Sequence, residues 1–151
     1  MLVFDNLAER LRGHRGVLVD SNILIDILSK DRNWAEWSEG ALAECSELVR
    51  AYINPIIYAE VSVGFSSIEE ADRAIPSSLY QREDLPWEAG FLAAKAFSAY
   101  RRKGGQRTSL LPGFYIGAHA AIGNLTLLTR DAARFHSYFP RLEILAPHCK
   151  A

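Results

Sequence analysis

Apolar residues along the chain alternate between helical spacing and short unbroken runs. In the first dozen residues, apolar side chains recur at helical spacing from Leu2 to Leu11, which predicts a short amphipathic helix. Residues 17–19 then form a brief β-branched apolar run, which is typical of a buried parallel strand. Directly after it, Ser21 is placed to cap a helix whose apolar positions again follow helical spacing.

The same alternation continues towards the end of the chain. Further strands are predicted at 51–53, 79–81, 125–128 and 142–145. Further helices are predicted over 34–48 with Asn33 as cap, from Pro55 to Phe65, after Ser67 with Glu70 in capping-box spacing, from Pro86 to the Gly104–Gly105 pair, from Leu110 to Ile122, and over 132–135. Strands that alternate with helices of this kind predict an α/β fold, a three-layer sandwich in which helices flank a central, mainly parallel sheet.

Length and composition fit one compact domain. The chain has 151 residues, of which 49% are hydrophobic and 23% are charged, and this is ordinary globular composition. Trp34, Trp37 and Trp87 are candidates for its core. The formal net charge of −1 argues against a surface devoted entirely to nucleic acid, because such domains usually carry a basic excess.

One basic run stands out, formed by Arg101, Arg102 and Lys103 with Arg107 nearby. At a helix end this run most simply interacts with the negative end of the helix dipole, and contact with RNA phosphates is the alternative.

The cysteines and the apolar stretches bear on where the protein acts. Cys45 and Cys149 have no spacing typical of a zinc site or a disulfide framework. No apolar stretch approaches the roughly 20 residues required to cross a bilayer, and no secretory signal opens the chain. We therefore expect a cytoplasmic protein with no membrane contact.

Three acidic residues adjoin the ends of predicted strands. Asp20 directly follows the first strand, Asp131 closely follows the fourth, and Glu60 lies inside an otherwise apolar helix. In open α/β sheets, ligands bind beyond the carboxyl ends of the strands. Carboxylates that converge there repel one another unless a cation neutralises them, and oxygen ligands suit Mg²⁺ or Mn²⁺. Such a metal can lower the pKa of a water molecule and stabilise charge on a phosphate.

Each acid taken alone also has a simpler explanation. Asp20 and Asp131 stand at predicted helix starts, where capping accounts for an aspartate without any metal. Glu60 is harder to explain in this way, since its helical neighbours are apolar and a buried glutamate needs a partner. His119 lies among small apolar residues and is interpreted as a satisfied core histidine rather than a ligand. For Asp26, bracing of the acidic site and pairing with a surface cation both stay open.

Four sequence patterns occur in an order that resembles the PIN-domain family. Residues 18–26 read Leu-Val-Asp-Ser-Asn-Ile-Leu-Ile-Asp and are similar to the family's opening strand, loop and helix. Residues 53–61, Ile-Asn-Pro-Ile-Ile-Tyr-Ala-Glu-Val, resemble the second motif, and residues 111–120 resemble the third. Residues 127–131, Leu-Leu-Thr-Arg-Asp, resemble the fourth and are followed by Arg134-Phe135 and Tyr138-Phe139-Pro140.

The resemblance extends from about Val17 to Leu145 and is particularly close to the VapC-type toxins of bacterial toxin–antitoxin pairs. It implies a single PIN-like domain over residues 1–151, with residues 1–15 as an N-terminal helical extension. It also implies a cognate antitoxin whose extended tail covers the pocket, a homodimer, and contact with operator DNA only through the antitoxin.

The same resemblance assigns roles to particular residues. Asp20, Glu60 and Asp131 fall on the family's catalytic, metal-binding acids, and Asn22 falls on a helper polar residue. The Thr129 hydroxyl is placed to support the metal-bound water or the acid of the fourth motif. The implied reaction is hydrolysis of an RNA phosphodiester by a metal-activated water, with Mg²⁺ or Mn²⁺ as cofactor.

One position departs from the family pattern. The third motif normally reads Leu-Pro-Asp, whereas this chain has Gly113 in place of the acid. Because glycine offers no ligand, our hypothesis is a metal-dependent endoribonuclease with impaired activity. The alternative is a catalytically inactive PIN-fold protein that acts as an antitoxin-binding partner. A nucleotide-binding domain is a third interpretation, but the turn after the first strand lacks the Gly-rich phosphate loop that it requires.

Overall fold

The computed structural model describes residues 2–106 and 111–148. Within these ranges five strands form one sheet: β1 (Gly16–Val19), β2 (Arg50–Ile53), β3 (Gln81–Arg82), β4 (Leu125–Leu128) and β5 (Ile144–Leu145). Every neighbouring pair is parallel, in the order β3-β2-β1-β4-β5. The predicted α/β class with a central parallel sheet is therefore confirmed.

Eight helices connect these strands in the described residues. They are α1 (Leu7–Leu11), α2 (Ser21–Leu28), α3 (Ala35–Leu48), α4 (Pro55–Ser62), α5 (Ile68–Ala74), α6 (Trp87–Arg102), α7 (Pro112–Ile122) and α8 (Ala132–Tyr138). Consecutive residues of β1 point to opposite faces of the sheet, and Val17, Leu18 and Val19 are all fully buried. Both faces of the sheet are therefore covered, as the unbroken apolar run predicts.

The order of the strands determines where a ligand can bind. The chain passes from β1 through β2 to β3 on one side, and then returns to place β4 and β5 on the other side. The strand order therefore reverses between β1 and β4. In parallel sheets the crevice at such a switch point, beyond the carboxyl ends of the strands, is the usual ligand site.

Helix starts differ from the prediction at two positions. Ser21 is the first residue of α2 and not its cap, because Asp20 occupies the N-cap and accepts a hydrogen bond from the Ser21 backbone N–H. Asn33 does not cap α3 either. The Asp31 carboxylate accepts hydrogen bonds from the backbone N–H groups of Asn33 and Trp34, each at 2.9 Å, so the polar support lies two residues earlier than predicted.

Other helix and strand boundaries differ from the predicted ones by a few residues. The helix that starts at Pro55 ends at Ser62, before Gly64 and the predicted end at Phe65. The edge strand β5 keeps two of the four predicted residues. The strand predicted at 79–81 lies one residue later, at Gln81–Arg82, and shares only Gln81 with the prediction. The predicted capping box at Ser67 is present, since its hydroxyl accepts from the Glu70 backbone N–H. The predicted helix start at Leu110, the basic Arg107 and Cys149 lie outside the described residues.

The long helix α6 buries a small-residue face and exposes its aromatic first turn. Ala89, Ala93 and Ala96 are buried, whereas the Trp87 side chain is 94% exposed. The prediction of Trp87 as a core residue is therefore wrong, because the helix turns its alanine face inward. Arg101 and Arg102 lie in the last turn, as predicted.

The N-terminal segment packs on the body of the fold. Phe4, Leu7 and Leu11 are buried in the same hydrophobic cluster as the central strands. The assignment of residues 1–151 to a single domain, with 1–15 as an extension, stays a prediction. In the described part of the chain, no helix combines the length and the apolar character needed to span a bilayer.

Candidate acidic cleft

A cleft of about 400 Å³ opens beyond the carboxyl ends of β1 and β4. Its lining includes all three predicted acids, Asp20, Glu60 and Asp131, together with Asn22 and Gly113. The first and fourth motifs reach it because β1 and β4 are adjacent parallel strands with aligned ends. The second and third motifs reach it from α4 and from the start of α7. The structure thus brings the predicted site residues to one place.

Asp20 is the most buried acid of the cleft, with 2% of its surface exposed. Its Oδ1 accepts from the Ser21 N–H at 2.8 Å, and its Oδ2 accepts from the Thr129 hydroxyl at 2.7 Å. Burial raises the pKa of this carboxyl because it penalises the charged form, and the hydrogen bond from Thr129 and the charge of Arg134 oppose part of that rise. Asp20 therefore caps a helix and also faces the cleft.

Thr129 sits immediately after β4 and is fully buried. Its hydroxyl donates to Asp20 Oδ2 and accepts from the Asp131 backbone N–H at 3.1 Å and from Asn22 Nδ2 at 3.3 Å. One donor and two acceptor positions are all that a hydroxyl offers, so this group is saturated. It links Asp20 of the first motif to Asp131 of the fourth motif. This agrees with the supporting role that the resemblance implies for Thr129.

Glu60 approaches the cleft from the middle of α4. Its Oε1 accepts from the Ser21 hydroxyl at 2.9 Å, and the same hydroxyl lies 3.4 Å from Asp20 Oδ1. Ser21 therefore bridges two of the three acids. Sequence reasoning considered Ser21 only as a helix cap. Its position between Asp20 and Asn22 in the first motif was the available signal for a second role.

Asp131 and Arg134 form the opposite wall of the cleft. Asp131 occupies the N-cap position of α8, but its side chain makes no capping hydrogen bond. It instead pairs with Arg134, whose Nε lies 3.3 Å from Asp131 Oδ2 and whose Nη2 lies 3.9 Å from Asp20 Oδ2. Helix capping therefore does not explain Asp131 here. Sequence reasoning quoted Arg134 only as part of a motif and missed its contact with two acids.

Gly113 faces the same guanidinium. It lies in the first turn of α7 and is buried. A Cβ built at this position would lie 3.4 Å from Arg134 Nε and 3.5 Å from its Cζ, which is ordinary van der Waals contact. A side chain at position 113 would therefore fit beside Arg134.

Asp26 has a partner in the fourth motif. It is buried, and it accepts from Arg130 at 2.5 Å and 3.0 Å and from the Ser38 hydroxyl at 2.8 Å. The Arg130 guanidinium also lies over the Trp34 ring at 4.9 Å. Since Arg130 precedes Asp131, this bidentate pair holds the backbone that carries the acid, so Asp26 braces the cleft from behind.

His119 lies in the core outside the cleft lining. Its side chain is fully buried and its Nδ1 is 2.9 Å from Asn54 Nδ2. The predicted core position is therefore confirmed, but only Nδ1 is hydrogen-bonded: Nε2 has no hydrogen-bond partner among the described residues and lies 3.4 Å from Glu83 Oε1.

The donors of the cleft suit a hard divalent cation, since its acids and Ser21 offer only oxygen. Among residues 2–106 and 111–148, however, no three carboxylates, imidazoles or thiols are gathered closely enough to hold a metal ion. The donor chemistry therefore fits Mg²⁺ or Mn²⁺, while the positive charge that the acids face in this structure belongs to Arg134.

Solved structures share this fold. They include the VapBC2 complex from Rickettsia felis bound to a DNA fragment from its promoter (TM-score 0.68, 18% identity, covering 86% of this chain and 97% of that chain). FitAcB from Neisseria gonorrhoeae has a TM-score of 0.65 and 21% identity, covering 87% of this chain and 97% of that one. A toxin–antitoxin complex from Klebsiella pneumoniae has a TM-score of 0.65 and 22% identity, covering 88% and 98%. At these identities the likeness establishes the fold alone.

The sequence itself settles the family. No curated protein is similar enough in sequence to count as a match. The sequence profile of the PIN domain, in contrast, matches residues 17–138. This range is most of the chain and includes Asp20, Glu60, Gly113 and Asp131, so the protein belongs to the PIN domain family.

Proposed function

We propose that this chain is a metal-dependent endoribonuclease of the VapC toxin type, in which Gly113 reduces activity. The observation that carries the proposal is the convergence of Asp20, Glu60 and Asp131 in one open cleft at the switch point of a PIN-domain sheet. Such a set of acids suits a cation and a phosphodiester better than it suits a neutral ligand.

In this proposal Asp20, Glu60 and Asp131 hold Mg²⁺ or Mn²⁺. A bound metal lowers the pKa of a water molecule and stabilises charge on the phosphate under attack. Both oxygens of Asp20 accept a hydrogen bond, Oδ1 from the Ser21 N–H and Oδ2 from the Thr129 hydroxyl, and each keeps a second lone pair. Ser21 also fixes Oε1 of Glu60. Asn22 points its amide at Thr129 and accepts from the Arg130 N–H, which orients the segment before Asp131.

Gly113 removes one carboxylate from this arrangement. The charge available to neutralise a divalent ion falls from four acids in the family pattern to three. We therefore expect weak metal binding and slow turnover.

An antitoxin is the proposed protein partner. An apolar groove of about 360 Å³ between α2 and α4 is lined by Ile25, Leu28, Val63 and Phe65, and Glu60 lines both this groove and the acidic cleft. A partner seated in the groove can therefore extend a tail over the acids. The structurally similar complexes are described as toxin–antitoxin assemblies, some bound to DNA. We propose contact with operator DNA only through the antitoxin, a homodimer, and a cytoplasmic location.

Cleavage of a mixed cellular RNA pool in Mn²⁺ or Mg²⁺ tests the catalytic proposal. Gly113→Asp should produce discrete, chelator-sensitive fragments at a rate at least about tenfold above that of the unchanged chain, because a carboxylate returns to the cleft. The control is Asp20→Asn in the Gly113→Asp background, which keeps side-chain size and removes one ligand charge. It should abolish cleavage.

A catalytically inactive, antitoxin-binding protein is the second candidate. Two observations favour it: Gly113 offers no carboxylate, and the Arg134 guanidinium already contacts Asp20 and Asp131. If Gly113→Asp cuts no RNA in either metal while remaining folded, the nuclease proposal fails and this candidate replaces it.

A further inference from the structure

We propose that Arg134 is the resident counter-cation of the acidic cleft and competes with a divalent metal for Asp20 and Asp131. The inference rests on the metal site of the proposed function and concerns what controls its occupancy. It makes Arg134 a residue that sets metal affinity, in addition to the acids that would bind the metal.

The position of the guanidinium is the first support. Arg134 Nε lies 3.3 Å from Asp131 Oδ2, and Nη2 lies 3.9 Å from Asp20 Oδ2. The two oxygens belong to the carboxylates that follow β1 and β4, so Arg134 spans the carboxyl ends of the two central strands. Asp20 Oδ2 also accepts from Thr129, so the same oxygen lies between a neutral donor and the guanidinium.

The electrostatics of Asp20 are the second support. An almost fully buried carboxylate is costly to keep charged unless a cation compensates for the lost hydration. Arginine stays protonated under all ordinary conditions, and the Arg134 guanidinium is the cation that lies beside this buried carboxylate, with Nη2 at 3.9 Å from Asp20 Oδ2. A divalent ion that takes its place must first separate Arg134 from both carboxylates, and that separation lowers the apparent metal affinity.

Gly113 lies beside Arg134 and offers it no carboxylate. A Cβ at position 113 would touch the guanidinium, since it would lie 3.4 Å from Nε and 3.8 Å from Nη2. An aspartate there would therefore offer Arg134 a third carboxylate. With glycine, Asp20 and Asp131 are the acids that Arg134 contacts.

The side chain can also move aside. Arg134 is 38% exposed, and its guanidinium rests over the Phe135 ring at 4.8 Å. Arg130, by contrast, is held by two hydrogen bonds to buried Asp26. The same segment thus carries one fixed arginine and one that a metal can displace.

The test measures Mn²⁺ binding to the full chain without nucleic acid, by the electron paramagnetic resonance signal of free Mn²⁺. Arg134→Gln should bind Mn²⁺ about fivefold to tenfold more tightly than the unchanged chain, because two partly exposed ion pairs no longer oppose the metal. Arg134→Lys keeps the charge and should stay closer to the unchanged chain. Arg141→Gln removes the same charge from an exposed position before β5, away from the cleft, and should change the affinity less than twofold.

A second measurement needs no variant. In nitrogen-15 spectra of the arginine side chains, the Arg134 Nε–H signal should shift as Mg²⁺ is added, while the Arg130 Nε–H signal should stay in place. An Arg134 signal that does not change at saturating Mg²⁺ would overturn the inference, and so would Arg134→Gln binding Mn²⁺ no more tightly than the unchanged chain. If neither the unchanged chain, nor Arg134→Gln, nor Gly113→Asp binds Mn²⁺, the proposed metal site fails as well, which distinguishes the two failures.

Discussion

At the scale of single residues, two threonines of the same segment illustrate what the cleft requires. Thr126 lies within β4 and Thr129 directly after it, and both are fully buried. The Thr129 hydroxyl donates to Asp20 and accepts from Asn22 and from the Asp131 N–H. The Thr126 hydroxyl has no hydrogen-bond partner among the described residues. Burial alone therefore does not distinguish them, but their hydrogen bonds do.

Thr129→Val should lower the free energy of unfolding by about 2–3 kcal/mol, because a buried carboxylate loses its donor and two N–H groups lose their acceptor. Thr126→Val is the matched control and should be neutral or slightly stabilising, since it replaces a buried, unpaired hydroxyl. Urea denaturation of both variants measures the difference. Equal destabilisation would mean that the Thr129 hydrogen bonds do not hold the first and fourth motifs together.

The site residues that follow strands could be predicted from the sequence, and the contacts between motifs could not. Asp20 follows β1 directly and Asp131 lies three residues after the end of β4, so strand prediction and the rule that ligands bind beyond the carboxyl ends of parallel strands together placed them. Arg134 reaches Asp20 because α8 packs beside the start of α7, where Gly113 lies against the guanidinium. That contact depends on a long-range approach of two helices, which no local spacing encodes.

At the scale of elements, a buried pair of side chains connects α4, which carries Glu60, to α7. Asn54 caps α4 through its Oδ1, which accepts from the Ile57 N–H at 2.9 Å. Its Nδ2 must then be the donor to His119 Nδ1. In this tautomer His119 carries its proton on Nε2, which lies 3.4 Å from Glu83 Oε1. Protonation of Nδ1 would set two donors against each other and disturb the cap.

His119 should therefore make stability depend on pH. Burial lowers its pKa, and Glu83 opposes part of that shift. The unfolded chain, with an ordinary histidine pKa of about 6.5, then takes up the proton first. The free energy of unfolding is therefore highest above a pH of about 6.5. It decreases as the pH falls towards the lowered pKa of the folded state, with a slope of up to about 1.4 kcal/mol per pH unit.

Unfolding free energies between pH 7.5 and pH 5.5, the range that brackets about 6.5, measure this effect. His119→Gln should flatten the slope in this range, because glutamine can accept from Asn54 without titrating. His136→Gln, at an exposed position on α8, should leave the slope unchanged. The same slope in the His119→Gln variant would assign the pH dependence to other groups.

Element types were predicted better than element ends. Apolar runs identified β1, β2 and β4, whose side chains are buried on both faces except for Arg50 at the start of β2. The edge strands β3 and β5 pair on one side only and keep two residues each. Their length depends on how much of a neighbouring strand is available, which a local pattern does not contain. The prediction of Asn33 as the cap of α3 was wrong for a related reason. Several polar residues precede the helix, and the packing of the whole chain decides which of them hydrogen-bonds to its first turn.

At the scale of the whole molecule, the described residues include two exposed apolar surfaces on different elements. One is the groove between α2 and α4, beside the acidic cleft. The other is the first two turns of α6, where Trp87 and Phe91 are both exposed and share a helix face because they are four residues apart. Since the net charge is only −1, electrostatic repulsion between copies is small. In the proposed homodimer the α6 face would receive the second copy, and the groove would be left for the proposed antitoxin.

This division of surfaces can be tested by sedimentation velocity of the chain alone at micromolar concentrations. Replacing Trp87 and Phe91 together by serine should weaken self-association at least about tenfold, because exposed aromatic side chains contribute most where they become buried at an interface. The matched control replaces Ile25 and Val63 by serine in the groove and should leave self-association unchanged. If the groove variant dissociates and the α6 variant does not, the two surfaces have exchanged roles. The groove would then be closed by a second copy, and an antitoxin would have to reach the acids from elsewhere.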